Sequence, residues 1–404
     1  ERLLLLLRLL ALALCLVLPT GASLAQQKQQ SLTHSSFRVI SAVQEMMEAE
    51  QFAEAIERLE VLVTETRNKP FDFAVANQFL AHSSVMMEDN ERALRALEEA
   101  LAVPDLPEKF LADLRLFYGS MLLGEERFDE SADMLEQWLA AVPRARPRQL
   151  FSVAYARYMS GNLERAEELI VMTLEQAGDK AQESWHQVHY RILSDLGKHR
   201  QAETVLMGMI TRNPDNELNW RLLASHYLQF DRNSDALTAL MLSYLNGLLD
   251  KPADLKQIAS LYSYIDVPDK AARLIENWVE EGRIEGDTET TTQIANLWLM
   301  ARERGKAKAA YLQAAAEAPT GALFETLGGI YFEDEEWREA FGAYQQALDL
   351  GGLDEADRVY LLAGISAFRA GLLDDARVML ENAAESDEFA GQAKSIIRKI
   401  NEES

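Results

Sequence analysis

Large apolar side chains return along this chain in helical stripes. Phe324, Leu327, Gly328 and Tyr331 fall on one helical face, a break follows at 333–336, and Trp337, Ala340, Tyr344 and Ala347 make a second stripe. Trp220, Leu223, Ala224 and Tyr227 repeat the first stripe, and Ala236 and Leu240 the second. Runs of β-branched residues bounded by hairpin turns are few, so the pattern predicts helices and little strand. Aligning the stripes brings out a period. A small residue recurs at Ala55, Ala93, Ser131, Ala166, Ala202, Ala236, Ala271, Ala307, Ala340 and Ala376, at intervals of 33 to 38 residues. Four residues after each comes a large apolar one: Leu59, Leu97, Leu135, Ile170, Leu206, Leu240, Ile275, Tyr311, Tyr344 and Leu380. Twelve residues before lies another small one, at Ala81, Gly119, Ala154, Ala224, Ala259, Ala295, Gly328 and Gly364; Val43 and Tyr190 depart from this.

A period of this length predicts stacked helical hairpins. Antiparallel helices pack with axes about 8–10 Å apart, and small residues on both allow the short end of that range. Proline cannot continue a helix interior, and Pro104, Pro143, Pro214 and Pro319 fall where second helices should close. The grammar resembles the tetratricopeptide repeat from Phe37 to Ser386, most clearly in Trp220, Leu223, Ala224, Tyr227 and Ala236, and in Leu327, Gly328, Tyr331, Ala340, Tyr344 and Ala347. HEAT-type solenoids have a longer period that fits less well. The resemblance implies an all-α, right-handed α-solenoid of about ten repeats over residues 36–388. A capping helix is expected over 389–404, where Phe389, Ala393, Ile396, Ile397 and Ile400 share a face.

In this family the first helix of each pair lines a concave groove. Residues there that the packing grammar leaves over are Arg148, Phe151, Tyr155 and Tyr158, then Ser184, Gln187, Arg191 and Ser194, then Arg221 and Ser225, then Lys256, Ser260 and Ser263. Aromatic and arginine side chains supply much of the energy at interfaces, which makes the first set a candidate binding face; the alternative is that Phe151, Tyr155 and Tyr158 fill space between repeats. The Lys/Asn set with which chaperone-binding members clamp a peptide carboxylate is not found.

Composition narrows the function. The chain has 404 residues, 48% apolar, with a net charge of −25. An acidic surface repels phosphates, which argues against nucleic acid as a partner. Arg144, Arg146 and Arg148 form a local basic exception. The single cysteine is Cys15, inside a leucine-rich run flanked by Arg2 and Arg8 and broken at Pro19. That run reads as a secretory signal over residues 1–25, cleaved between Ala25 and Gln26 after Ser23-Leu24-Ala25. Retention as a membrane anchor is the alternative, with peripheral or anchored association with an inner membrane. Residues 26–35 are polar and are expected to form a disordered linker, and the mature chain is expected in the periplasm.

Signals for chemistry are sparse. Glu183, His186 and His189 step by three along one helix, a spacing that drifts around it and converges poorly on a metal. Asp334, Glu335 and Glu336, like Asp374 and Asp375, sit where carboxylates cap helix starts. There is no phosphate loop, nucleophile elbow or Cys–His pair. The expectation is therefore no catalytic residue, no metal and no cofactor. A narrower likeness, clearest over 180–300, runs through Gln182-Glu183-Ser184-Trp185, Ala236 to Tyr244, Ile265 to Glu276 and Glu281-Gly282-Arg283-Ile284. It is similar to a periplasmic tetratricopeptide protein that accompanies certain TonB–ExbB–ExbD systems. That resemblance implies a protein-binding scaffold accessory to energy-coupled uptake of iron chelates, with TonB, ExbB or ExbD components among its partners. A general scaffold for envelope or cell-wall assembly is the alternative reading.

Overall fold

The structure, a computed structural model, describes residues 31–403. The leader, its cleavage site at Ala25 and Gln26, and residues 26–30 lie outside the described residues. Among the described residues there are helices and no strands, in an α-solenoid of consecutive hairpins. The described residues divide into two compact units, with the boundary between Met209 and Ile210.

In the first unit the hairpins are α1 (His34–Glu48) with α2 (Phe52–Glu65), and α3 (Pro70–Met86) with α4 (Asn90–Leu101). Next come α5 (Glu108–Gly124) with α6 (Phe128–Ala141), α7 (Pro147–Met159) with α8 (Leu163–Ala177), and α9 (Glu183–Asp195) with α10 (His199–Arg212), within which the unit boundary falls. The second unit holds α11 (Glu217–Gln229) with α12 (Asn233–Leu245), and α13 (Pro252–Tyr264) with α14 (Pro268–Glu280). It continues with α15 (Thr288–Met300) and α16 (Arg304–Glu317), α17 (Gly321–Glu333) and α18 (Trp337–Leu350), and α19 (Ala356–Arg369) and α20 (Leu373–Ala383). A final helix, α21 (Ala390–Glu403), packs on α20 and reaches α19.

The small residues set the hairpin spacing. All ten of the recurrent series from Ala55 to Ala376 are wholly buried, and so are the large residues four positions on. The glycines show the register. A Cβ at Gly119 would lie 2.8 Å from Leu135 Cγ, one at Gly328 2.6 Å from Tyr344 Cδ1, and one at Gly364 2.6 Å from Leu380 Cγ. Each first-helix glycine thus makes room for the bulky residue sixteen positions on rather than for the small residue twelve on. Ser131, the one hydroxyl in the small series, is buried and donates to the Gly119 carbonyl at 2.7 Å. Val43 takes the small position fully buried, and Tyr190 takes it half-buried.

One turn joins the two helices of every hairpin. Its middle residue is always five before the recurrent small residue and always has positive φ: Glu50, Glu88, Glu126, Gly161, Gly197, Asp231, Asp266, Arg302, Glu335 and Gly371. The next amide bonds the carbonyl five residues back, as in Gln51 to Met46 at 2.8 Å and Leu372 to Ala367 at 2.8 Å. The positive-φ residue bonds the carbonyl three back, as in Glu50 to Met47 and Gly371 to Phe368. These are the paired bonds of a Schellman ending, which satisfies carbonyls that a helix terminus otherwise leaves open.

Two expectations change. Helix α1 begins at His34, so the chain expected to be disordered to residue 35 is already ordered there. The cause is the buried carboxylate of Asp72 in α3, which accepts from the Thr33 amide at 3.1 Å and from the Ser36 hydroxyl at 2.8 Å. The acidic group at 334–336 does not cap α18. Asp334 and Glu336 pair with Lys308 at 2.9 and 2.7 Å, Asp334 also with Arg304 at 3.3 Å, and Glu335 is the positive-φ residue of the turn. The carboxylates therefore tie α17–α18 to α16, while Asp374 and Asp375 do occupy the first turn of α20.

Candidate functional site

The residues singled out in the first unit divide by what they touch. Val142 and Arg146 have extended backbone, so side chains alternate: Arg144 and Arg146 are exposed while Ala145 is buried between them. The Arg146 amide donates to Gln149 Oε1 at 3.0 Å and so starts α7. Arg148 is half-buried. Phe151 stacks on Tyr155 at 6.0 Å and on the buried Trp185 of α9 at 5.4 Å, both with planes 19° apart. Tyr158 donates to Asp195 of α9 at 2.9 Å. Burial, reinforced by that bond, pushes the Tyr158 hydroxyl up to about 12. Phe151 and Tyr158 thus join α7 to α9. Gln187 is half-buried and Arg191 exposed on α9.

Behind α7 lies an ion network. Glu136 of α6 accepts from Arg165 of α8 at 2.8 Å and lies 3.4 Å from Arg157, which also pairs with Asp133 at 3.1 Å. The bond from Arg165, with help from the Arg157 charge, holds the Glu136 carboxyl below the ordinary range. Glu183, His186 and His189 form no metal centre: among the described residues no three His, Cys, Asp or Glu side chains gather to hold an ion. Burial lowers the His189 imidazole below its ordinary value, so it sits as a neutral, half-enclosed ring.

In the second unit Arg221 is committed to structure. It pairs with Glu217 on its own helix at 2.6 Å and with the buried Asp254 of α13 at 2.6 Å. Lys256 is exposed and its charge helps to hold the Asp287 carboxyl low, although the main cause there is the Thr290 amide, which the carboxylate accepts as the cap of α15. Ser260 bonds its own helix, and Ser263 reaches Met300 of α15 at 3.9 Å.

Beyond Met300 the face opens into a cleft that the repeat pattern had not singled out. It has a volume of about 710 Å³ and lies between the first helices α15 and α17, with α16 beneath. Apart from Glu289, its walls are uncharged and mostly short. Thr292 and Thr326 donate their hydroxyl protons to carbonyls four back, at 2.7 and 3.0 Å, which leaves their lone pairs as acceptors. Tyr311 forms the floor, almost wholly buried, and donates to Asn296 Oδ1, which orients that carboxamide. Its Nδ2 and the whole amide of Gln293 make no hydrogen bond among the described residues. Thr320 caps α17 by accepting from the Leu323 amide at 3.3 Å. The arrangement presents donors and acceptors side by side, which suits a guest with both, such as a peptide backbone. The residue types explain why it escaped notice: Thr, Gln and Asn on a first helix read like solvated surface.

No family model matches the chain, and no curated protein matches it. Solved structures do align with it. One is a tetratricopeptide repeat protein from Parabacteroides merdae, 15% identical, covering 63% of this chain and 98% of that one with a TM-score of 0.34. Another is YrrB, described as a TPR protein with an unusual peptide-binding site, 15% identical over 46% of this chain and 90% of that one, TM-score 0.38. The structure of Naa15/Naa10 bound to HypK covers 91% of this chain and 66% of its own, at 13% identity and a TM-score of 0.43. These likenesses are of helical-repeat fold.

Proposed function

We propose that the chain is a non-catalytic scaffold that binds segments of partner proteins along its first-helix faces. The observation that carries this reading is the cleft of α15 and α17, an open space of polypeptide dimensions lined by the carboxamides of Gln293 and Asn296 and by threonine hydroxyls whose lone pairs can still accept. A photo-crosslinking residue placed at Gln293 should capture partner protein from cells, and the same residue at the exposed Met172 of α8 should capture far less. Equal capture at both positions would count against the reading.

The finer proposal is a periplasmic accessory to TonB–ExbB–ExbD energy-coupled uptake of iron chelates. It rests on the sequence likeness over 180–300 and on the leader-like segment at 1–25. Sequencing the mature chain from the envelope should find Gln26 first. Deleting the gene should lower chelated-iron uptake while motor assembly stays detectable, and normal uptake in the deletion strain would refute the assignment.

A further inference from the structure

We infer that the cleft between α15 and α17 selects an extended segment carrying a lysine or arginine, with Glu289 choosing the charge. The inference rests on the scaffold reading and narrows it. Of the side chains that line the cleft, the one charged at neutral pH is the exposed carboxylate of Glu289. A second carboxylate, Glu317, stands at the edge and accepts from Thr288 at 3.2 Å. Three cations of the neighbouring helices are paired with other carboxylates: Arg304 with Glu333 and Asp334, Lys308 with Asp334 and Glu336, and Arg358 with Glu325 and Glu355. Glu289 itself makes no ion pair among the described residues, so it lends the cleft wall one formal negative charge beside the start of α15, where Lys256 also acts on Asp287, on a chain whose net charge is −25. Fields of that kind steer and select oppositely charged partners.

The uncharged part of the wall limits the guest further. An apolar guest would strip water from Gln293 and Asn296 and return no hydrogen bonds, a loss for every group so buried. A sugar or base that stacks on aromatic faces finds none, because Tyr311 lies almost wholly buried under Asn296. An acidic segment or a nucleic acid would meet Glu289. An extended chain offers one donor and one acceptor per residue to the carboxamides and can lay a cationic side chain toward Glu289.

The test uses the full chain and a displayed library of random decapeptides, followed by two synthetic Gly/Ser peptides that differ only in a central Lys or Glu. Enriched sequences should carry an excess of Lys and Arg, and the lysine peptide should bind more tightly than its glutamate twin. Glu289→Gln should weaken the lysine peptide by about two- to fivefold, as befits an exposed charge pair, and erase the difference between the twins. Gln293→Ala with Asn296→Ala should abolish enrichment, with helicity by circular dichroism unchanged. Acidic or apolar enrichment, no enrichment, or a charge preference that survives Glu289→Gln would overturn the inference. Partners captured independently of these three residues would sink this inference alone. Loss of capture at Gln293 and at every other first-helix position would sink the scaffold reading itself.

Discussion

Gly328 and Gly329 are neighbours in α17, and the packing gives them opposite roles. A methyl group at Gly328 would press into the Tyr344 ring at 2.6 Å, whereas one at Gly329 would meet only the Tyr344 hydroxyl at 3.9 Å. Gly328→Ala should therefore cost about 1–3 kcal/mol through overpacking of a rigid ring. Gly329→Ala should gain about 0.5–1 kcal/mol, because glycine inside a helix carries an entropy cost that alanine does not. Hydrogen exchange of the α17 and α18 amides reads both changes locally. A shift of the same sign in the two variants would contradict the assigned register. The Glu136 carboxyl is held below its ordinary value by Arg165, so its contribution to stability is full above the unfolded value of about 4.3 and is lost as pH falls through the folded one. The first unit should soften in acid over that window. Glu136→Gln should flatten the acid limb of its stability curve, and an unchanged limb would remove Glu136 from the network's role.

The recurrent element is the three-residue turn, and it is used ten times with glycine at only three of its positive-φ positions. A side chain in that conformation costs about 1–2 kcal/mol, so the other seven turns hold strain that the Schellman bonds and the hairpin packing offset. Glu126, exposed at φ 60, makes the point testable. Glu126→Gly should stabilise the α5–α6 hairpin by about 1 kcal/mol. Gly161→Ala, although nothing lies within 4 Å of the new methyl, should destabilise α7–α8 by a similar amount. Denaturation midpoints that ignore both substitutions would show that the turns relax instead of enforcing the conformation. The same element shows what a sequence discloses. Buried small and large residues at fixed offsets were legible, because burial demands apolar character and shape and so writes itself into residue type. The turns showed only as breaks between stripes, as at 333–336, and not in their conformation, since Glu, Asp and Arg at seven of the ten carry no conformational signature. First-helix faces were half legible. Phe151, Tyr158 and Arg221 were recognisable as residues outside the hairpin grammar, yet each is claimed by the next first helix through Trp185, Asp195 or Asp254. Choosing between a guest and a neighbouring repeat needs the neighbour's position, which a one-dimensional pattern does not hold. The cleft was illegible for the same reason, its walls being drawn from three helices.

Within each unit, contacts run between sequence neighbours, so stability is nearly a sum of hairpins and the interfaces that join them. An array of that kind transmits disorder from an uncovered end inward. In the second unit α21 provides the cover: Ala393 and Ile400 are fully buried in the cluster that includes Leu380, Ala383 and Ala376, with Phe389, Ile396 and Ile397 packed beside them. Ending the chain at residue 388 would expose that cluster. The apolar area involved is worth about 1.5–3 kcal/mol for each large side chain so uncovered, comparable with the few kcal/mol that a single hairpin holds in reserve. The expected outcome is loss of amide protection in α20 first and α19 next, with α11 to α14 retaining theirs, and self-association visible by light scattering as the bared face finds another copy. Ile400→Asp in the full chain should give a milder version of the same gradient, because it places a charge where the helix is fully buried. Uniform loss of protection across α11 to α20 would mean that the second unit melts as one cooperative body, and the nearest-neighbour account of this solenoid would fall with it.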